Sequence, residues 1–205
     1  MDNSTYFVAL GANLPSPAGA PARTLVAALR ALVQAGAELR AVSRFYHAPA
    51  FPAGAGPDYV NAAAAVASGL APAQFLALLH RIEADLGRQR AARWESRGVD
   101  LDLLVAGQTV LPDARTQAHW RGLALADQMR DWPEGLILPH PRLADRAFVL
   151  IPLAEIAPLW RHPATGDSVI QMLAALPQAE KAAIRPLETP FCGEGRLSRP
   201  GLGSK

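Results

Sequence analysis

Residues 96–107 read Ser-Arg-Gly-Val-Asp-Leu-Asp-Leu-Leu-Val-Ala-Gly, an apolar run broken by two acids two positions apart. On a strand, successive side chains point to opposite faces. Asp100 and Asp102 then share one face, and Val99, Leu101 and Leu103 point the other way, into a core. Upstream, residues 6–10 read as a first strand, ended by a turn at residues 11–15. Pro21 opens a helix with Leu25, Leu29, Leu32 and Val33 on one face, and Gly36 closes it. Residues 39–47 are a second strand and residues 59–68 a third, the latter weakened by its alanines. Pro72 opens a second helix with Phe75, Leu78, Leu79, Ile82 and Leu86 at helical spacing, and Gly87 ends it. With residues 99–105 as the fourth strand, the order is strand, helix, strand, strand, helix, strand. That order specifies an α+β fold, a ferredoxin-like βαββαβ core with C-terminal additions.

Beyond the core, residues 111–135 are polar and irregular, with a short helix expected around residues 123–130. Residues 138–141, Leu-Pro-His-Pro, form a stiff turn, and residues 148–153 are apolar again. The chain of 205 residues is long enough for one sizeable core. Residues 1–185 are expected to form one domain in which 113–135 resembles an insertion, and 186–205 to be a disordered tail.

Several classes are excluded. No apolar stretch reaches membrane-spanning length, and the N-terminus lacks the features of a signal peptide. Cys192 is the single cysteine, so there is no internal disulfide and no multi-cysteine metal site; the expected compartment is the reducing cytoplasm. A net charge of +2 is not that of an electrostatic nucleic-acid binder. The aromatic-rich stretch of an RNA-reading sheet is also missing. No Gly-x-x-x-x-Gly-Lys-Ser/Thr loop occurs. Lys181 and Lys205 are the only lysines, so any phosphate must be held by arginine.

Two carboxylates on one strand face, with Cα atoms about 6.5–7 Å apart, repel and raise each other's pKa. A divalent cation reverses that cost. Magnesium takes one or two carboxylates and completes its octahedron with water and substrate phosphate. The bland alternative is a solvated edge strand whose acids alternate by chance. The loop just before the strand weighs against it. Arg88, Arg90, Arg93 and Arg97 surround Trp94 there. Guanidinium forks bind phosphate oxygens bidentately, so arginines beside a carboxylate pair suit a polyphosphate.

In these residues the chain resembles the 6-hydroxymethyl-7,8-dihydropterin pyrophosphokinase family. The resemblance runs from the first strand to about residue 158. It rests on residues 8–14 (VALGANL), Phe45-Tyr46 through Pro49, residues 57–62 (PDYVNA) and Arg81-Ile82-Glu83. It continues through residues 93–97 (RWESR) with Asp100-Leu101-Asp102, residues 138–141 (LPHP) and Arg146-Ala147-Phe148. It implies transfer of pyrophosphate from ATP to the pterin hydroxymethyl group, with release of AMP, in folate biosynthesis. Two Mg²⁺ ions are implied, with Asp100 and Asp102 as ligands. Arg88 and Arg97 match loop arginines over the phosphates, and His140 and Arg146 match ATP-binding residues. Pro49, Tyr59, Asn61, Trp94 and Phe148 match the pterin pocket, in which the ring stacks between Tyr59 and Phe148. Glu95 stands where the family has a small residue, and 113–135 is longer than its common form. The expected partners are the two small substrates, with no nucleic acid and no membrane, and the chain is expected to be a monomer. Two other readings stay open: a homologue that binds without turnover, and a non-enzymatic binding module, which has no use for two acids on one face.

Overall fold

The computed structural model describes residues 4–50, 56–87, 98–124, 127, 130–131 and 133–188. Five strands carry the expected core: β1 (Ser4–Ala12), β2 (Glu38–Val42), β3 (Tyr46–Ala48), β4 (Tyr59–Ser68) and β5 (Asp100–Ala106). The helices α1 (Pro21–Gln34) and α2 (Pro72–Asp85) join them. The sheet order is β5-β1-β4-β3, with β2 also on β4 and every pairing antiparallel. This is the ferredoxin-like arrangement.

Proline at the first turn starts both helices, and the chain turns off each at a glycine of positive φ, Gly36 at 87° and Gly87 at 89°. Their apolar faces meet one face of the sheet. Tyr6, Val8 and Leu10 of β1 and Leu101 and Leu103 of β5 are buried there with Leu25, Leu32, Phe75 and Leu79. Tyr6 stacks on Phe75 at 4.2 Å between ring centroids and donates its hydroxyl proton to the Leu70 carbonyl.

The opposite face is covered by the C-terminal additions α4 (Ala147–Ile156) and α5 (Val169–Ala175). Phe7, Ala63, Ala65 and Leu104 pack there against Val149, Leu150, Leu153 and Met172. Strand β4 is thus central and covered on both faces. Its alanines, weak strand formers alone, are nearly all buried and let helices approach the sheet closely.

Three expectations are corrected, and one helix lies where none was expected. Residues 39–47 are not one strand: the ladder breaks between β2 and β3. There the Ser43 hydroxyl accepts from the Ala63 amide at 2.9 Å and donates to the Arg44 carbonyl, standing in for a backbone group. Gly11 does not start a turn but lies inside β1, paired with Asn61 on one side and Asp100 on the other. A helix not foreseen, α3 (Ala114–Gly122), precedes the expected one, and Asp113 caps it by accepting from the Thr116 amide at 2.9 Å; within the expected helix at 123–130, the described Asp127 and Arg130 are helical. Much of 123–130 lies outside the described residues. Pro186, assigned to the tail, pairs with Tyr46 in a short β6 (Arg185–Pro186) that follows α6 (Gln178–Ala182). Residues 189–205 lie outside the described residues.

Candidate active site

Register across the sheet assembles the site. Asp100 pairs with Gly11, Gly11 with Asn61 and Asn61 with Tyr46, so these four form one cross-strand row. Asp102, Ala9 and Ala63 form the next row on the same face. Paired residues of antiparallel strands project to the same side. Between the carboxylates and Asn61 the rows carry only the small residues Gly11, Ala9 and Ala63, the last of them buried under α4. Two strand spacings separate Asp100 from Asn61, about 9–10 Å. A Cβ on Gly11 would lie 3.1 Å from Asn61 Oδ1, so glycine lets that amide sit over β1.

Both aspartates are partly exposed, while Val99, Leu101 and Leu103 are buried on the other side, as the alternation predicts. Asn61 is 6% exposed, and among the described residues its Nδ2 has no hydrogen-bond partner. A buried amide donor without an acceptor is costly unless a ligand supplies one. Tyr59 opens β4 and is half-buried, whereas the strand residues after it are buried. Phe148 is half-buried on the first turn of α4, with the Arg146 guanidinium 5.6 Å from its ring centroid. Pro49 is exposed just past the end of β3.

The third wall is the turn carrying His140. The Leu111–Leu138 bridge closes the base of the 112–137 segment. The His140 amide donates to the Leu104 carbonyl at 2.8 Å, which ties the turn to β5. From α3, the fully buried Gln117 donates through Nε2 to the Pro139 carbonyl at 3.2 Å. The helix inside the insertion-like segment thus buttresses this turn.

His140 Nδ1 accepts from the Arg142 amide at 3.1 Å, so the neutral ring carries its proton on Nε2. Burial, then the charges of Arg146 and Arg142, push its pKa from 6.5 down to about 3, against the pull of Asp100 and Asp145. The ring is held as a neutral donor. Because the unfolded chain binds this proton more readily, His140 contributes stability fully above pH 6.5, and that stability is lost as pH falls toward 3. A histidine-selective NMR titration of the folded protein is expected to show no His140 step between pH 8 and 5. A midpoint near 6.5 would refute this placement.

Arg146 reaches Asp102, Nη1 to Oδ2, at 3.9 Å. The sequence reading missed Arg142. Its Nε is buried, lies 3.7 Å from Asp145 Oδ2 and makes no hydrogen bond among the described residues. Burial and then the Arg146 charge pull its pKa down. Two guanidiniums beside a neutral imidazole form a pocket of positive charge next to the carboxylates. The only available signal was an arginine two residues after the histidine of a proline-stiffened turn.

Asp100, Asp102, Asn61, Tyr59, His140, Arg146 and Phe148 therefore collect around one sheet face, at the end reached by the first turn of α4. Arg88, Trp94 and Arg97 lie outside the described residues. Residues 7–158 match the model of the 7,8-dihydro-6-hydroxymethylpterin-pyrophosphokinase (HPPK) family. This chain belongs to that family.

Among HPPK relatives, it is 35% identical over 154 residues to 2-amino-4-hydroxy-6-hydroxymethyldihydropteridine pyrophosphokinase of Haemophilus influenzae, covering 75% of this chain and 81% of that protein. The same-named protein of Pseudomonas aeruginosa is 36% identical over 172 residues, covering 83% and 91%. That of Synechocystis is 35% identical over 153 residues, covering 75% of this chain and 66% of its own length. The fold resembles the Plasmodium falciparum HPPK-DHPS crystallised with pterin and p-hydroxybenzoate, with a TM-score of 0.59 at 12% identity. The match takes in 85% of this chain and 44% of that longer one. No helix among the described residues of this HPPK-family chain is long and apolar enough to cross a membrane.

Proposed function

We propose that this chain transfers pyrophosphate from ATP to the hydroxymethyl group of 6-hydroxymethyl-7,8-dihydropterin, releasing AMP, in folate biosynthesis. The observation that carries the reading is the cross-strand register around Gly11, which sets two carboxylates on one side of it and, among the described residues, an unpartnered buried amide on the other, all on one sheet face. In this reading the pterin edge meets Asn61 and the phosphate chain meets Asp100 and Asp102.

In this reading Tyr59 and Phe148 stack on the pterin and Asn61 Nδ2 donates to an acceptor on its edge. Arg146 and Arg142 hold phosphate oxygens, and His140 donates from Nε2 to the nucleotide. Arg88 and Arg97 close over the phosphates, and Trp94 and Pro49 complete the pterin side. The substrate hydroxyl oxygen bonds to the β-phosphorus as the bond from that phosphorus to the α,β-bridging oxygen breaks, and AMP leaves. Positioning and charge stabilisation dominate such a transfer.

Asp100 and Asp102 would hold magnesium, two ions in this proposal. Among the described residues no group of three or more His, Cys, Asp or Glu side chains could hold a metal alone. Two carboxylates suit an ion that keeps water and phosphate oxygens in its shell. Bound there, magnesium would supply neutralisation of the triphosphate charge. The proposal takes residues 1–185 as one catalytic domain, working as a cytoplasmic monomer. The single cysteine, Cys192, suits that compartment.

Phosphorus-31 NMR of the purified protein with ATP, Mg²⁺ and 6-hydroxymethyl-7,8-dihydropterin is expected to show AMP and a pterin-linked diphosphate. ADP with a pterin monophosphate would refute β-phosphorus attack. Unchanged ATP that is nonetheless bound would favour a homologue that binds without turnover.

A further inference from the structure

The C-terminal end of α4 is tied to the strand beside the proposed pterin slot. Glu155 Oε1 accepts from the Tyr46 hydroxyl at 2.7 Å and from Arg44 Nε at 2.6 Å. Oε2 accepts from the Arg44 amide at 2.8 Å. Arg44 Nη2 donates in turn to the Tyr46 hydroxyl at 3.1 Å. Both carboxylate oxygens are engaged, and the partners lie 109 and 111 residues away in sequence. Burial pulls the Glu155 pKa up, but the bonds from Tyr46 and Arg44 outweigh it and keep the group ionised.

The location matters more than the strength. Tyr46 is the register partner of Asn61, and Ala48, the last residue of β3, is the partner of Tyr59. The tie therefore ends on the strand that flanks both proposed slot residues of β4. At its other end, Glu155 stands seven residues after Phe148, two turns along, on the same helix face. Pro152 lies between them, four residues after Phe148. It lacks the N–H that would bond the Phe148 carbonyl, so α4 is weakest between the slot and its far end. A glutamate in the last turn also opposes the helix dipole, so helix stability does not account for it.

We propose that Glu155, gripped by Arg44 and Tyr46, is a positioning residue that sets the spacing between the helix carrying Phe148 and the strand carrying Tyr59 and Asn61. The inference rests on the reading of those residues as the pterin slot. A stacked ring tolerates only small errors in that spacing, whereas the phosphate side is held by the His140 turn and β5.

The test uses the full chain and isothermal titration with Mg²⁺, measuring 6-hydroxymethyl-7,8-dihydropterin and a non-hydrolysable α,β-methylene ATP separately. Glu155→Gln keeps the side-chain size but replaces one acceptor oxygen with a donor. It is expected to weaken pterin binding about tenfold, while the ATP analogue stays within about twofold. Tyr46→Phe removes the hydroxyl's two bonds, to Glu155 and from Arg44, but leaves Arg44 on Glu155, and is expected to fall between; it serves if Glu155→Gln does not fold. Phe148→Ala tests the slot itself and is expected to abolish measurable pterin binding. If Phe148→Ala binds pterin normally, the slot reading fails. If Phe148→Ala loses pterin while Glu155→Gln and Tyr46→Phe keep it, the positioning role is overturned. Equal losses for pterin and nucleotide, with a lower Tm, would also overturn it by reducing the tie to a structural brace.

Discussion

Asp102→Ala is expected to lose at least about three orders of magnitude in turnover while keeping its fold. The two halves of that result have separate causes. Asp102 points away from the core that contains Leu101 and Leu103, and its side chain is 36% exposed. Its ion pair with Arg146 spans 3.9 Å, beyond a hydrogen bond, and such partly exposed pairs contribute about 0–1 kcal/mol. Far-UV circular dichroism and Tm should therefore stay close to those of the parent chain. Turnover has no such cushion. In the proposed reading, removing the carboxylate takes away one of two anionic metal ligands on that face, and the arginines and His140 do not replace the charge neutralisation lost. Charge stabilisation of this kind is commonly worth about 4 kcal/mol, near a thousandfold in rate. Asp102→Asn, nearly isosteric, should show nearly the same loss, because charge rather than shape is at stake. Near-normal turnover of either variant at saturating Mg²⁺ would remove Asp102 from the metal site.

The acid pair was legible because strand alternation is local. Two residues two apart share a face whatever the rest of the chain does, and the aspartates and leucines obey it. The α2 boundaries were legible for a similar reason, since Pro72 and Gly87 act on their own backbone. What escaped depends on contacts distant in sequence. Gly11 reads as a turn former, yet its role is to leave space for Asn61, fifty residues later. The break at Ser43 needs a hydroxyl to meet the Ala63 amide, which no periodicity reveals. Residues 148–153 are apolar all round and too short to separate helix from strand by pattern. The Asp113-x-x-Thr116 cap was visible, but α3 is polar and carries no apolar stripe to draw attention to it. The grip on Glu155 joins segments more than a hundred residues apart and leaves no trace in spacing.

Asn61→Ala separates binding from stability in opposite directions. The Asn61 side chain is buried with Nδ2 unpartnered, so the folded protein without substrate bears the desolvation cost of that donor. Removing the amide relieves a cost of about 1–3 kcal/mol and leaves a small void whose cost has the opposite sign. Tm is therefore expected to stay within a few degrees of the parent value, or to rise. Pterin binding should respond very differently. A site built to hydrogen-bond a substrate loses that bond and gains nothing in return, and the bond forms away from water. The expected loss is about 2–3 kcal/mol, or roughly 30- to 150-fold in Kd, with little change for an ATP analogue. Restoring bulk without the donor, as in Asn61→Leu, should not recover affinity and should block the slot above Gly11. Isothermal titration with each substrate, alongside a thermal melt, decides the matter. A steep fall in Tm with pterin affinity intact would make Asn61 a structural residue of β4 and would move the pterin away from this side of the sheet. A stable protein that has lost only the pterin would tie the orphaned amide to the ring edge, on the opposite side of Gly11 from the carboxylates.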